Sequence, residues 1–468
     1  MKKWTWAGVL LMAMVWTGTG RLAAQHAAPA LPHPDSTTQI TSLQDFFRKG
    51  QFGVHLRFNF METTHAMDFD PHWAFGAGGR LHFQSPEFYG FTLGMGGSFV
   101  FNLASSDLTE RDPVSGKLPR WERQLFDLTD PENRYDIDGL EALYLRYRWK
   151  KSFLTVGRMS ITTPLVNPHN GRMRPNALEG IWLDIRQWKK VAVQAGWYTR
   201  TSPRSTAGWY SMSEAIGIFG QGVTVEGEKA QYHDHLDMAG VGILGIQWKP
   251  SNRWQFQVWD YMLENVQNTA FFQGEYTDGK WVAGMQVVRQ DAINQGGHED
   301  VDKRYVAPGQ QANLIAFRLA RRWKQWELVG NYGYVAENGR YQFPRELGYD
   351  KLYPNIPRLR MEGLGGAHAI SGGVRFRPTV VRGMELRADL ASQFGFEALE
   401  AEHNKYQYAP ITQLNLDARY RFHGIWEGVS VRALWILPMY HRDLSDRPDL
   451  VYYKAAHQHL NVILDIHY

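Results

Sequence analysis

Arg172 and Arg174 stand on either side of Met173 in the run Asn167-Pro-His-Asn-Gly-Arg-Met-Arg-Pro-Asn-Ala-Leu-Glu-Gly180, which follows Gly157-Arg158 and Thr163-Pro164-Leu165. A guanidinium is planar and permanently charged, and it meets a carboxylate through two parallel hydrogen bonds. Pro164, Pro168 and Pro175 restrict the backbone around the pair, which suits a loop held in one shape. Other chemistry is scarcer. The chain has no cysteine, which excludes disulfides, thiolate metal sites and a cysteine nucleophile. No Gly-x-Ser-x-Gly elbow is present, and scattered Ser and His residues cannot be placed together from sequence. In Tyr232-His-Asp-His-Leu-Asp237, the residues His233, His235 and Asp237 could hold a divalent metal if the segment were extended, although such loop residues are more often simply solvated. No cofactor is called for.

The elements that must position these residues are strands. In the last twelve residues, Leu460, Val462, Leu464, Ile466 and Tyr468 share one parity, while His459, Asn461, Asp465 and His467 share the other, with Ile463 breaking the alternation. Eighteen such segments, from 51–61 to 457–468, have lengths near the ten residues that a tilted strand needs to cross a membrane, with sixteen as the alternative count. Their connections alternate between tight turns, as at Lys150-Lys151 and Thr277-Asp278-Gly279, and long links near 102–138, 160–179, 201–237, 290–310, 336–367, 395–410 and 438–456. Only the link at Glu264 and Asn265 is short for its place. Short turns on one side and long loops on the other predict an all-β, closed antiparallel barrel in the bacterial outer membrane. The 18 Trp, 22 Tyr and 24 Phe, many near strand ends, would then form girdles at the two interfaces.

Parity also assigns the faces. Arg57, Arg146, Arg148, Arg375, Arg377, Arg387, Arg419, Arg421 and Arg432 fall on the polar parity and are expected to form a basic lumen wall, with Asp389, Asp417 and Asp465 as acids facing it. A charge on the lipid face at the bilayer midplane costs roughly 2–4 kcal/mol, which drives them inward. Residues 1–24 read as a signal peptide, with Lys2 and Lys3 ahead of an apolar run, and residues 25–50 as a flexible periplasmic lead-in. The barrel is expected over 51–468. Formal charge is +4, and removing Lys2, Lys3 and Arg21 with the leader brings it to +1, with basic residues dispersed, so no nucleic-acid partner is indicated.

Gly157, Pro164, the run Asn170-Gly171-Arg172-Met173-Arg174-Pro175 and Gly180 resemble the OprD-type family of outer-membrane porins. Members carry a strand ending in Gly, a Pro a few residues on, and an Asp-x-Arg-like turn followed by Pro and a closing Gly; Asn170 departs from the more usual Asp. The resemblance implies a substrate-preferring diffusion channel for small polar solutes, often carboxylate-bearing or zwitterionic, with its third outer loop folded inward. Arg158, Pro164, Asn170, Arg172 and Arg174 would then form the constriction. The expected partners are small polar solutes, outer-membrane lipid and, through the terminal Tyr468, the barrel-assembly machinery, the oligomeric state being open between monomer and trimer. The rival readings are a barrel-embedded hydrolase and a transporter for a more hydrophobic solute, whose lumen should be greasier.

Overall fold

The computed structural model describes residues 42–468 apart from 66, 67, 170, 442, 443 and 445. The proposed signal peptide and most of the lead-in lie outside the described residues, as does Asn170. The first half of the chain forms β1 (Gln51–His65), β2 (His72–Gln84), β3 (Phe91–Ser105), β4 (Ile137–Trp149), β5 (Ser152–Met159), β6 (Ala177–Ile185), β7 (Val191–Ser202), the two-residue β8 (Tyr210–Ser211) and β9 (Val241–Trp248). The second half forms β10 (Trp254–Leu263), β11 (Gln267–Thr277), β12 (Trp281–Ala292), β13 (Gln311–Trp323), β14 (Trp326–Val335), β15 (His368–Phe376), β16 (Met384–Phe394), β17 (Ile411–Arg421), β18 (Val429–Tyr440) and β19 (His457–His467).

Every strand pairs antiparallel with its neighbour in sequence, β7 passes over β8 to pair with β9, and β1 pairs with β19. The result is a closed barrel of eighteen strands with β8 as an appendage in a loop. Closure leaves no unpaired sheet edge, the condition for a β structure in hydrocarbon. The short link at Glu264–Val266 is a genuine turn at the long-loop end, with Asn265 in the left-handed region at φ 59°. β5 starts and stops where the alternation starts and stops, whereas β1, β3 and β18 run further into the loop end than their polarity alone indicates.

The two faces follow the pleat. In β1, His55, Arg57, Asn59, Met61 and Thr63 are buried inward while Leu56, Phe58 and Phe60 point outward. Large exposed side chains gather at the short-turn end, among them Phe52, Tyr89, Trp188, Trp254, Trp281, Trp326 and Trp426. Trp326 and Phe376 stack there with centroids 4.2 Å apart. Three bulges disturb the alternation, one opposite Phe75–Gly76 on β3, one opposite Gly96–Gly97 on β4 and one opposite Glu179–Gly180 on β7. At Gly157, φ is 118° and an added Cβ would fall 2.3 Å from the Leu143 carbonyl oxygen, so β5 needs glycine there.

The interior is packed. Leu165, Tyr261, Tyr341, Leu347, Tyr353 and Met361 belong to one buried cluster drawn from both wall and loops. The lead-in differs from its expectation at its end: Leu43–Arg48 is a short helix capped by the Ser42 hydroxyl, and Phe46 and Phe47 pack against Phe83. The cap and this aromatic contact account for a helix that composition did not suggest.

Candidate functional site

Residues 160–176 leave β5 and cross the barrel. Thr163 and Val166 close a turn through Thr163 N to Val166 O at 2.8 Å and Val166 N to Thr163 Oγ1 at 3.0 Å. The Tyr261 hydroxyl on β10 donates to Thr163 Oγ1 at 3.0 Å and accepts from Leu165 N. Further along, Arg57 on β1 donates through Nη1 to the Arg172 carbonyl at 2.5 Å. β1 and β10 are the first and ninth of eighteen barrel strands, on nearly opposite sides of the wall, so the loop spans the lumen.

A second loop, 336–367, meets it midway. The Asn167 amide donates to Tyr349 O at 2.8 Å, and Lys351 N donates to the Pro164 carbonyl at 3.0 Å. Pro357 in this loop is held by Gln413 and Asn415 of β17, and that fixes Arg358 next to the wall. Arg204, from the link after β7, is placed by its own backbone N–H on Asn176 Oδ1 at 2.7 Å.

Three guanidinium groups thereby converge. Arg172 donates to Gln124 Oε1 at 2.7 Å, Arg204 to the Arg345 carbonyl at 3.0 Å, and Arg358 to His459 Nε2 at 3.0 Å. None of the three forms an ion pair among the described residues; burial lowers the pKa of each, Arg358 and Arg204 lower that of Arg172 further, and Arg360 and Arg358 that of Arg204. Burial pulls Arg358 down to about 9. A guanidinium stays charged regardless, so the direction of this shift reflects the cost of burying the cation, which Glu122 partly offsets. His169 lies beside them with its ring 5.1 Å from Tyr349, and burial and the arginines keep it neutral. Arg358 also stacks 4.4 Å over Trp121, whose ring lies 4.4 Å from Arg120 as well.

Behind Arg358 runs a directed chain of hydrogen bonds. A guanidinium cannot accept, so His459 Nε2 does, and the imidazole proton sits on Nδ1. That nitrogen is 2.9 Å from Thr63 Oγ1, and the Thr63 hydroxyl donates to Glu122 Oε1 at 2.5 Å. The Tyr453 hydroxyl donates to the other Glu122 oxygen at 2.5 Å. Burial raises the Glu122 pKa, and these two donors oppose the rise. A hydroxyl, an imidazole and a carboxylate are adjacent here, yet with the opposite polarity to a base-activated nucleophile, because the imidazole donates to the hydroxyl.

The sequence-derived residues distribute unevenly. Arg174 is buried and committed to the fold, donating to Glu141 Oε1 at 3.2 Å, Ser202 Oγ at 2.8 Å and the Thr206 carbonyl. Pro164 is buried in the loop turn. Arg158 does not join the loop: it shares the outward row of Val156, pairs with Glu179 at 2.7 Å and stacks 4.6 Å over Trp209. Strand alternation puts it there, since β5 continues through Met159. The nine wall arginines lie on strand rows that face the lumen or at their rim. Six are paired locally: Arg57 with Asp465, Arg148 with Glu87, Arg375 with Glu327, Arg377 with Glu385, Arg387 with Asp389 and Arg432 with Asp417, at 2.6–3.1 Å. Arg146 is held by Thr155 and the Phe153 ring, Arg419 stands in register between Glu385 and Arg432, and Arg421 is opposite Ser430. Asp389, Asp417 and Asp465 are therefore beside their arginines and do not face them across the lumen.

His233, His235 and Asp237 do not converge. Asp234 between them is in the left-handed region at φ 60°, so the segment turns, and the His235 ring bonds the His233 carbonyl. Sequence reading missed Arg204, Arg358, Glu122 and Glu141. The first two carry a visible signal, since Pro203-Arg204 and Pro357-Arg358-Leu359-Arg360 repeat the proline-next-to-arginine pattern of Arg172-Met173-Arg174-Pro175.

A model of the family described as outer membrane porin, OprD family, matches residues 90–308. The chain is 25% identical over 166 residues to the porin-like protein GalP of Pseudomonas putida, an alignment spanning 35% of this chain and 37% of that protein. Among solved structures, Pseudomonas aeruginosa OpdK with vanillate aligns with a TM-score of 0.69 at 13% identity, covering 90% of this chain and 99% of that one. Acinetobacter baumannii OccAB4 aligns with a TM-score of 0.66 at 12% identity, covering 90% and 98%. These structures share the barrel. The matched segment contains the loop that crosses the lumen, and over it the chain is similar to the OprD-type family of outer-membrane porins.

Proposed function

We propose that the protein is a diffusion channel of the bacterial outer membrane that favours small solutes bearing a carboxylate. One observation carries the reading: Arg172, Arg204 and Arg358 meet where two loops cross the lumen, and none has an ion pair among the described residues. A carboxylate arriving there relieves buried positive charge at a point where Coulomb interactions are less screened than in bulk water. Passage requires the attraction to be weak enough for release, and the three existing neutral partners supply competition for the same N–H groups. Vanillate, present in the OpdK structure, is an aromatic carboxylate. A lumen carrying this many charged side chains does not suit a hydrophobic solute.

The terminal strand fits a role in assembly. Tyr468 is 97% exposed, its backbone N–H bonded to Val54 O at 2.9 Å, which leaves the aromatic ring free for the assembly machinery. Outer-membrane lipid would cover the outward rows. The channel reading is tested by conductance in planar bilayers with block by paired solutes. A small aromatic carboxylate should block and its uncharged amide should not; equal block by both would refute the carboxylate preference.

A further inference from the structure

At the periplasmic mouth, where the first and last strands close the barrel, three potential metal ligands stand on the lumen face. β1 and β19 pair His55 directly with His467 and Arg57 with Asp465. The two imidazoles stack with centroids 4.2 Å apart and 2° between planes. His55 Nε2 is 2.7 Å from Asp465 Oδ1. Arg57 holds the same carboxylate through Nε at 2.7 Å and Nη2 at 3.1 Å. One donor atom from each of His55, Asp465 and His467 lies within 4.8 Å of the others. A third imidazole borders the group, for the His82 ring lies over Gly53, where an added Cβ would be 2.1 Å from it.

We propose that His55, Asp465 and His467 form a reversible binding site for a borderline divalent cation, of which Zn2+ is the type, bridging the closing seam. Two imidazoles and one carboxylate suit such ions, whereas Mg2+ keeps oxygen ligands and bound water. Donor atoms at tetrahedral Zn2+ lie about 3.4 Å apart, from ligand distances near 2.1 Å. The 2.7 Å His55–Asp465 contact widens modestly to reach that spacing as the ion takes the place of the shared proton. His467 closes its remaining gap by side-chain rotation out of the stack. Arg57 keeps its hydrogen bond to Oδ2 and so fixes the orientation of the carboxylate, while its positive charge weakens the site and makes occupancy reversible. Because each strand of the seam contributes a histidine, the ion would link β1 to β19. This inference is independent of which solute the channel passes.

The test is calorimetric titration of Zn2+ into the folded, chelator-treated full-length barrel in detergent. One equivalent should bind, tenfold excess Mg2+ should not compete, and His55→Gln and His467→Gln should each weaken binding at least tenfold while keeping heat-modifiable migration. If either variant does not fold, Zn2+ should protect His55 and His467 of the parent from diethyl pyrocarbonate. Parent affinity in both variants, lack of protection, or loss of binding on His233→Ala with His235→Ala instead would overturn the assignment.

Discussion

The wall arginines and three arginines of the lumen links carry the same residue type in opposite electrostatic settings. On the wall, Arg387 sits 2.6 Å from Asp389 and Arg432 2.6 Å from Asp417, so neighbouring strands cancel their own charge. In the loops, Arg172, Arg204 and Arg358 bond to an amide, a carbonyl and a neutral imidazole. Counting arginines on the polar parity therefore overstates the field of the wall, and the uncompensated charge is concentrated where 160–176 and 336–367 meet. The difference has a geometric origin. A strand offers a carboxylate at a fixed cross-strand or i+2 distance, as Arg387 and Asp389 show, whereas a loop arginine meets whatever the fold brings to it.

The largest expected effect comes from freeing the loop from the wall. Arg174→Met leaves the buried Glu141 facing only Arg80, and removing one partner of a buried pair costs about 3–5 kcal/mol. Single-channel conductance should rise severalfold and proteolysis in 160–176 should become rapid. Unchanged conductance would mean that Tyr261, Tyr349 and Arg57 hold the loop without Arg174.

A second variant examines a buried loop cation that no solute reaches. Lys405 lies 4.1 Å from the Tyr305 ring and 4.8 Å from the Tyr232 ring, and its Nζ has no hydrogen-bond partner among the described residues. Burial lowers its pKa from 10.5 to about 7, with Glu362 and Glu346 opposing and Arg340 and Arg345 assisting. Because the folded value lies below the unfolded one, protonation favours opening, so loop stability is least below pH 7 and rises as pH climbs toward the unfolded value. Cleavage within 395–410, normalised to an unstructured peptide, should be faster at pH 6 than at pH 9 in the parent, and slow at both in Lys405→Met. A pH-independent parent would show that the tyrosine cage suffices to hold the ammonium.

A smaller change sharpens the comparison at Arg358. Glu122→Gln removes the anion at the far end of the chain through Thr63 and His459, leaving Arg358 less compensated. Carboxylate block should tighten by roughly two- to fivefold through the lost Coulomb term. Weaker block would mean that Glu122 acts by holding the relay in place. The smallest effect belongs to the wall, where Arg387→Ala with Asp389→Ala removes a pair of no net charge. Ion preference should stay within about twofold of the parent, as expected for a partly exposed pair; a large shift would return selectivity to the wall.

How far this arrangement was legible in the sequence follows from the range of the interactions. The strands were, because alternation and turn residues are local; the segments at 152–159 and 311–323 coincide with β5 and β13. Glu141 was not, since the bulge on β4 turns it inward, against the parity set by Arg146 and Arg148. Arg158 was counted with the constriction through the family resemblance, yet pleating continues past Gly157 and carries the side chain outward. Arg172 lay in the segment singled out, but its companions did not. Arg204 and Arg358 enter from links after β7 and β14, and their meeting depends on contacts such as Asn167 with Tyr349, separated by 182 residues.

The most direct measurement is the reversal potential of the reconstituted channel under a KCl gradient, for the parent, for Arg172→Ala with Arg358→Ala, and for the Arg387 and Asp389 double variant. The loop variant should move toward cation preference while the wall variant keeps the parent's value. A loop variant with the parent's reversal potential, or a wall variant that shifts as far, would contradict the claim that the uncompensated loop arginines set selectivity.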